Sequence, residues 1–572
     1  MVPDCSAHNK HRCRQRFNVV SARAGASGRL EPPTTSTSPA AKDRSNTPSL
    51  GRSASIVAVA FVASRVLGLA REVVLAHLFG TGPESDAYVS AFRIPDFLFL
   101  VAMSGAFGAA FIPIFGGFLA RGEREKAWRL ASSVITLTGL VSIALALVMF
   151  AFAGPIMTNL VAPELTGEYR SIAIRTMRLL LVSNILLGFG IAAKGILEAQ
   201  DLFTLPAVAP LMYSVATILG ALVLGPRMGV PGVAIGVVVG AAFHIGVQIP
   251  GLVRAGMRYS PSLSLQVAGL REVARLLVPR VVGQAAFQIN FIVVNYLANG
   301  EGSGKATALN QAWMLMMLPH GVLALSISTV AFPTMARQFE TGRLDEVRAT
   351  FMKALAPLLF LILPASIGLF EFRTAIIQTV FQSGAFNAYS TSLVSPPLAF
   401  LALGLTWYAL VEVLARIFYA MQDTKTPVIA GVAIIVINVV LGIVLVDHVG
   451  YAGLGLCLSV STGIEAAILM VVLRRRIGGF DATFGSWFAR VMLATAAMAM
   501  AAEAMRGPLQ EATESGAAPR IVQLLLLGYA IGVVALTYLL AAYYLRLPEV
   551  GLLLGRLESR VPLLKRVLPF RR

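Results

Sequence analysis

Ser64-Arg65-Val66-Leu67-Gly68-Leu69-Ala70-Arg71-Glu72, continued by Ser85-Asp86-Ala87-Tyr88 and Phe92-Arg93-Ile94-Pro95-Asp96, is the stretch that decides how the rest of the chain reads. It places Arg65, Arg71, Asp86 and Arg93 in or at the edges of two strongly apolar segments. An ionisable side chain in hydrocarbon costs about 3 kcal/mol or more, so such groups usually face a water-filled cavity or a partner. Arg65 and Arg71 are six residues apart, about 9 Å along a helix axis and roughly 120° apart in azimuth, so a single broad cavity could see both. The plainer reading is that these arginines snorkel to a membrane surface, or pair with Glu72 and Asp86 to hold helices together.

Outward from this stretch the chain stays apolar. Its 572 residues are 56% hydrophobic and 13% charged, with a mean hydropathy of +0.75. Long apolar stretches recur along nearly the whole length, which excludes a soluble protein and gives an all-α polytopic membrane protein. The net charge of +18 could suggest nucleic acid. Basic residues at membrane-helix ends account for it instead, so no nucleic-acid partner is expected. Cys5, Cys13 and Cys457 form neither a disulfide framework nor a zinc-ligand spacing. The histidines are scattered without metal-ligand spacing or a catalytic constellation, so neither an enzyme nor a bound cofactor is expected.

Polar and Gly/Pro breaks divide the apolar sequence into fourteen expected spans, near 55–80, 85–119, 127–154, 168–199, 204–225, 230–253, 270–299, 304–338, 346–370, 389–421, 426–446, 451–473, 484–505 and 520–545. Their loops alternate in charge. One side carries Arg121, Arg124 and Lys126, then Arg254 and Arg258, then Arg337, Arg343 and Arg348, then Arg474 to Arg476, and the basic end from Arg556 to Arg572. The other side has nearly neutral connections such as Gly80–Ser85, Gly154–Gly167 and Asp447–Gly450. The positive-inside bias then puts both termini in the cytoplasm of a multi-pass protein. Residues 1–52 are rich in Arg, Ser, Thr and Pro and read as a disordered basic cytoplasmic tail or a mis-assigned start. Residues 547–572 read as a basic cytoplasmic end.

Three short matches repeat at nearly one offset. Pro113 and Gly122 answer Pro333 and Gly342 at 220; Gln200-Asp201 answers Gln422-Asp423 at 222; Val230-Pro231-Gly232-Val233 answers Tyr451-Ala452-Gly453-Leu454 at 221. Six spans per unit is an even number, so both copies insert the same way up. The expected architecture is about fourteen transmembrane helices: two six-helix lobes, 53–258 and 259–478, related by an axis normal to the membrane, plus two C-terminal helices within 479–546.

Other polar residues in apolar segments have two readings each. Lys194 with Glu198, and Glu412 with Arg416, have i,i+4 spacing at corresponding places in the two repeats, which suits intrahelical ion pairs or cavity and gating residues. Gln284, Gln288, Asn290 and Asn295 could hydrogen-bond a headgroup or glue helices together, and Gly232, Gly236 and Gly240 make a small-residue packing face. Glu465 stands alone in its span, where burial could make it a proton or sodium sensor.

Ser64-Arg65 through Arg71, Ser85-Asp86-Ala87-Tyr88, Gly105-Ala106-Phe107 with Phe111-Ile112-Pro113, Phe381 through Phe386, and Phe418-Tyr-Ala-Met-Gln-Asp423-Thr-Lys-Thr-Pro427 together resemble the MurJ/MviN family of lipid II flippases. That family belongs to the multidrug/oligosaccharidyl-lipid/polysaccharide exporter superfamily, and the resemblance spans about 53 to 545. It implies a two-lobed transporter of the bacterial cytoplasmic membrane, working by alternating access. Its cationic cavity would carry a lipid-linked peptidoglycan precursor from the inner to the outer leaflet, with cell-wall synthesis proteins as a further partner class. Arg65, Arg71 and Asp86 carry over by position. The expectation is a site of net positive charge in which Arg65, Arg71 and Arg93 attract pyrophosphate and Asp86 orients them or acts as a gate, with Lys194, Gln288, Glu412, Arg416 and Glu465 as secondary candidates. Departures from the family pattern fall at Phe99 and Leu100, and at Trp313, Met314 and Met317, where the family often has charged residues. They leave open export of another polyprenyl-linked oligosaccharide or amphiphile, or a non-transporting role beside cell-wall synthesis.

Overall fold

The computed structural model describes residues 50–100, 111–479, 482–514 and 519–551. Most of the 1–52 tail, the Gly105-Ala106-Phe107 motif and most of the 547–572 segment lie outside the described residues. Every expected span coincides with a helix. The helices in chain order are α1 (Leu50–Phe79), α2 (Pro83–Phe99), α3 (Ile112–Ala120), α4 (Arg124–Ala151), α5 (Ala153–Ile156), α6 (Gly167–Glu198), α7 (Thr204–Met228), α8 (Val230–Gly246), α9 (Ile249–Arg254), α10 (Leu270–Gly300), α11 (Lys305–Glu340), α12 (Leu344–Glu371), α13 (Arg373–Phe381), α14 (Ala388–Ala420), α15 (Lys425–Val449), α16 (Ala452–Ile477), α17 (Ala482–Glu514) and α18 (Arg520–Tyr544). Among the described residues, 11 are long and apolar enough by themselves to cross a membrane. The other three spans fall on α1 and α10, where some side chains are not described, and on α2 with α3, which flank the undescribed 101–110.

The repeat is written into the turns. Gly122 and Gly342 both take a left-handed φ, +77° and +73°, and close the same bonds: Glu123 N–H to Phe118 O in one, Arg343 N–H to Gln338 O in the other. Gly229 and Gly450 do likewise at φ +64° and +70°. One match shifts. After α6 the five-back bond runs from Leu202 N–H to Leu197 O, and after α14 from Asp423 N–H to Phe418 O. Leu202 therefore stands where Asp423 stands, and the positive-φ residues are Asp201 and Gln422. The structural register through this turn is 221, so the Gln-Asp pairing at offset 222 is out of register by one. The second turn uses its aspartate: Asp423 accepts from the backbone N–H groups of Lys425 and Thr426, from Thr426 Oγ1, and from Arg476 at 2.6 Å.

Packing repeats as well. In the first half α2, α4 and α8 pack on α6, and α7 on α8; in the second, α11, α12 and α16 pack on α14, and α15 on α16. Glycine permits the closest approach: at Gly220 of α7 and Gly236 of α8, a Cβ on either residue would overlap the other's Cα, which confirms the packing role of the Gly232/Gly236/Gly240 face. The helices α17 and α18 pack on each other and on α12, with the Tyr538 hydroxyl donating to Phe360 O at 2.7 Å. Large apolar side chains on the outward faces, such as Leu147, Val223, Val436 and Leu525, are exposed, as hydrocarbon rather than water requires.

Candidate functional site

A cavity of about 360 Å³ lies between the halves. Its walls are helical stripes. From α1 come Arg71, Glu72, Leu75, Ala76 and Phe79; from α2 come Ser85, Tyr88, Val89, Phe92, Arg93 and Asp96; from α11 come Thr307, Asn310, Gln311, Trp313, Met314 and Met317. Spacings of three and four residues put each set on one face.

The cavity is not cationic as expected. Its ionisable lining is Arg71, Glu72, Arg93 and Asp96, two of each sign. The cause is local: Glu72 follows Arg71 directly, and Asp96 sits one turn beyond Arg93. Arg71 donates to Glu72 Oε1 through Nε at 3.1 Å and Nη2 at 2.7 Å. Arg93 reaches across to the second half, donating to Asn295 Oδ1 of α10 and Asn310 Oδ1 of α11, each at 3.2 Å, with its guanidinium 5.8 Å from the centre of the Phe291 ring. A desolvated charge is tolerated when it is paired and hydrogen-bonded in this way. Two fixed guanidinium forks in a half-closed apolar cavity are suited to hold a phosphate or carboxylate bidentately.

Arg65 does not line this cavity. It lies beside Gly321 of α11, one turn past Met317, because six residues carry it about 9 Å further along α1. Nor does Asp86 orient the arginines. Buried to 1% exposure, it accepts from Gly304 N–H, from Thr307 N–H at 2.8 Å and from Thr307 Oγ1 at 2.7 Å, so it caps the start of α11 across the interface between the halves. More bonds close the same end: Ala385 N–H donates to His77 O at 2.8 Å, and Thr81 Oγ1 donates to Ser390 Oγ at 2.7 Å. Asp86 thus ties the start of α2 to the start of α11.

The secondary candidates stand apart from the cavity. Lys194 and Glu198 are 3.7 Å apart on a well-exposed face, and Arg416 holds Glu412 Oε1 at 2.9 Å, so both are intrahelical ion pairs. Gln288 is buried in α10, and the Glu465 carboxylate packs beside Gly431 of α15. Of the departures, Phe99 joins an apolar cluster with Phe111 and Phe115, while Trp313, Met314 and Met317 form part of the cavity wall. The residues that sequence reasoning passed over as site groups are Glu72, Asp96, Tyr88, Phe92, Asn310 and Gln311. For Tyr88, Phe92 and Asp96 the signal was the unbroken three-and-four spacing of 85, 88, 89, 92, 93 and 96.

A family model described as "Lipid II flippase MurJ" matches residues 75–545. The match begins beyond Arg65 and Arg71, so their assignment rests on position and geometry. Among curated relatives, the "Lipid II flippase MurJ" of Burkholderia cenocepacia is 30% identical over 420 residues, covering 72% of this chain and 81% of that protein. The "Probable lipid II flippase MurJ" of Vibrio cholerae serotype O1 is 29% identical over 471 residues, covering 80% and 88%. Among solved structures, "Lipid II flippase MurJ, inward closed conformation" superposes with a TM-score of 0.69 at 24% identity, over 86% of this chain and 98% of that one. An inward-facing multidrug resistance MATE family transporter of the MOP superfamily gives 0.62 at 17% identity, over 72% and 94%.

Proposed function

From the premise that this chain belongs to the lipid II flippase MurJ family, we propose that it moves lipid II through the cavity between lobes 53–258 and 259–478, with Arg71 and Arg93 as the groups that take the pyrophosphate. The chain is a multi-pass membrane protein of the bacterial inner membrane and a transporter working by alternating access. Both termini are cytoplasmic, so the end closed by Asp86 is extracytoplasmic and the cavity is loaded from the inner leaflet. Glu72 holds Arg71, and the two asparagines hold Arg93. An entering pyrophosphate exchanges with these partners, since phosphate oxygens match the guanidinium fork and carry more charge than one carboxylate. Release of the Asp86 cap then lets the lobes part on the outer side.

The observation that carries this reading is the pair of arginines, on helices α1 and α2, that line the half-closed cavity between the halves. Complementation tests it. In a strain depleted of its lipid II flippase, the chain is expected to restore growth and Arg71→Ala with Arg93→Ala is not. Failure of the unaltered, membrane-inserted chain would favour export of another polyprenyl-linked oligosaccharide, the reading to which uncharged Trp313 and Met314 lend support.

A further inference from the structure

All four ionisable residues of the cavity lie on α1 and α2; α11 contributes none. The cavity therefore has one charged wall and one neutral wall. The neutral wall combines the indole of Trp313 with two side-chain amides, Asn310 and Gln311. Trp313 is fixed by edge contacts with two near-perpendicular rings, Phe291 at 5.1 Å and 80° and Tyr408 at 5.2 Å and 87°. Gln311 is buried, and its Oε1 has no hydrogen-bond partner among the described residues. A buried amide acceptor left unpaired is costly, and a hydroxyl that paired with it would recover that cost. From the other half, Tyr88 and Phe92 add a second aromatic edge pair, 4.9 Å apart at 65°.

A fixed indole beside an amide suits a pyranose ring. The negative face of an aromatic ring attracts the weakly positive axial C–H groups of the sugar, and the amide answers its hydroxyls. We propose that Trp313, with Gln311, is a carbohydrate-stacking wall that makes the site select sugar-bearing polyprenyl pyrophosphates over bare polyprenyl pyrophosphate. This rests on the assignment of Arg71 and Arg93 to the pyrophosphate, and deepens it: the charged wall holds what all such lipids share, and the neutral wall reads what differs.

The test is binding to the purified full chain in nanodiscs, with undecaprenyl pyrophosphate carrying no sugar, one sugar, or the disaccharide-peptide of lipid II. The unaltered chain is expected to bind the sugar-bearing lipids at least tenfold more tightly than the bare one. Trp313→Leu and Gln311→Leu should each lower that ratio several-fold by weakening the sugar-bearing lipids more than the bare one, and Trp313→Phe should retain part of it. Should Trp313→Leu not fold, Gln311→Leu and Trp313→Phe decide. Discrimination that survives in folded variants overturns the proposal, and so does an equal loss for all three lipids, which would make Trp313 a packing residue. Arg71→Ala reports separately: it should weaken all three lipids alike, and no effect there would sink the pyrophosphate assignment while leaving the sugar ratio readable.

Discussion

Arg71 and Arg93 bring their own neutralising groups, and that arrangement sets the energetics of an empty cavity inside a membrane. An unpaired guanidinium there would be costly; one already bonded to a neighbour is tolerated but still exchangeable. Glu72→Gln removes the competing carboxylate from Arg71, so affinity for inorganic pyrophosphate or a lipid pyrophosphate should rise about tenfold and transport turnover should fall, because release becomes the slow step. Calorimetric titration with a parallel turnover assay checks both. At the membrane surface Asp423 provides a pH prediction. Burial alone would push its carboxyl up, but hydrogen bonds from Thr426 and the Arg476 guanidinium bring it down to about 2. A depressed folded pKa stabilises the fold above the ordinary value near 4 and loses that contribution as pH falls through about 2. Thermal stability should therefore decline between pH 4 and 2 by about 1 kcal/mol for this partly exposed pair, and Asp423→Asn should flatten that segment of the profile.

At the scale of elements, α1, α2 and α11 each offer the cavity one stripe, and the starts of α2 and α11 lock together. Asp86 caps α11 across the lobe interface. Asp86→Asn keeps the shape and loses the charge at the helix start, about 1 kcal/mol, so a cysteine at Ser390 should become more reactive to an impermeant thiol reagent. In the first lobe, Gly236→Val has no space against Gly220 and should destabilise the protein by about 1–3 kcal/mol, read as a lower melting temperature without α7 or α8 unwinding. The helices themselves were legible in the sequence because a bilayer demands long apolar runs and punctuates them with basic loops. The site was only half legible. Charged residues announced α1 and α2, yet Arg65 and Arg71 could be told apart only by where α11 crosses them, and the partner of Asp86 lies 221 residues away at Thr307. Uncharged Trp313 and Gln311 gave no signal in an apolar helix until the opposite wall was in place.

For the whole molecule, the matching turns and helix pairs predict that 55–253 and 270–473 superpose in the same helix order and orientation about an axis near the membrane normal. An inverted relation would contradict the repeat. Topology is checked in intact cells: single cysteines at Gly82, Gly167 and Gly450 should react with an impermeant thiol reagent, and one at Gly342 should not; equal labelling at Gly342 would reverse the assignment of sides. A cavity of balanced charge between the two halves, with Asp86 bonded to the start of α11 near it, suits the alternating access proposed above. The most direct measurement is translocation of fluorescent lipid II by the purified chain in proteoliposomes. The unaltered protein should expose the lipid to an external quencher or modifying enzyme well above the rate of empty liposomes, and Arg71→Ala with Arg93→Ala, inserted in equal amount and melting at the same temperature, should fall at least tenfold toward that background. Wild-type translocation by the doubly substituted protein would contradict the account and leave both arginines as structural ion partners.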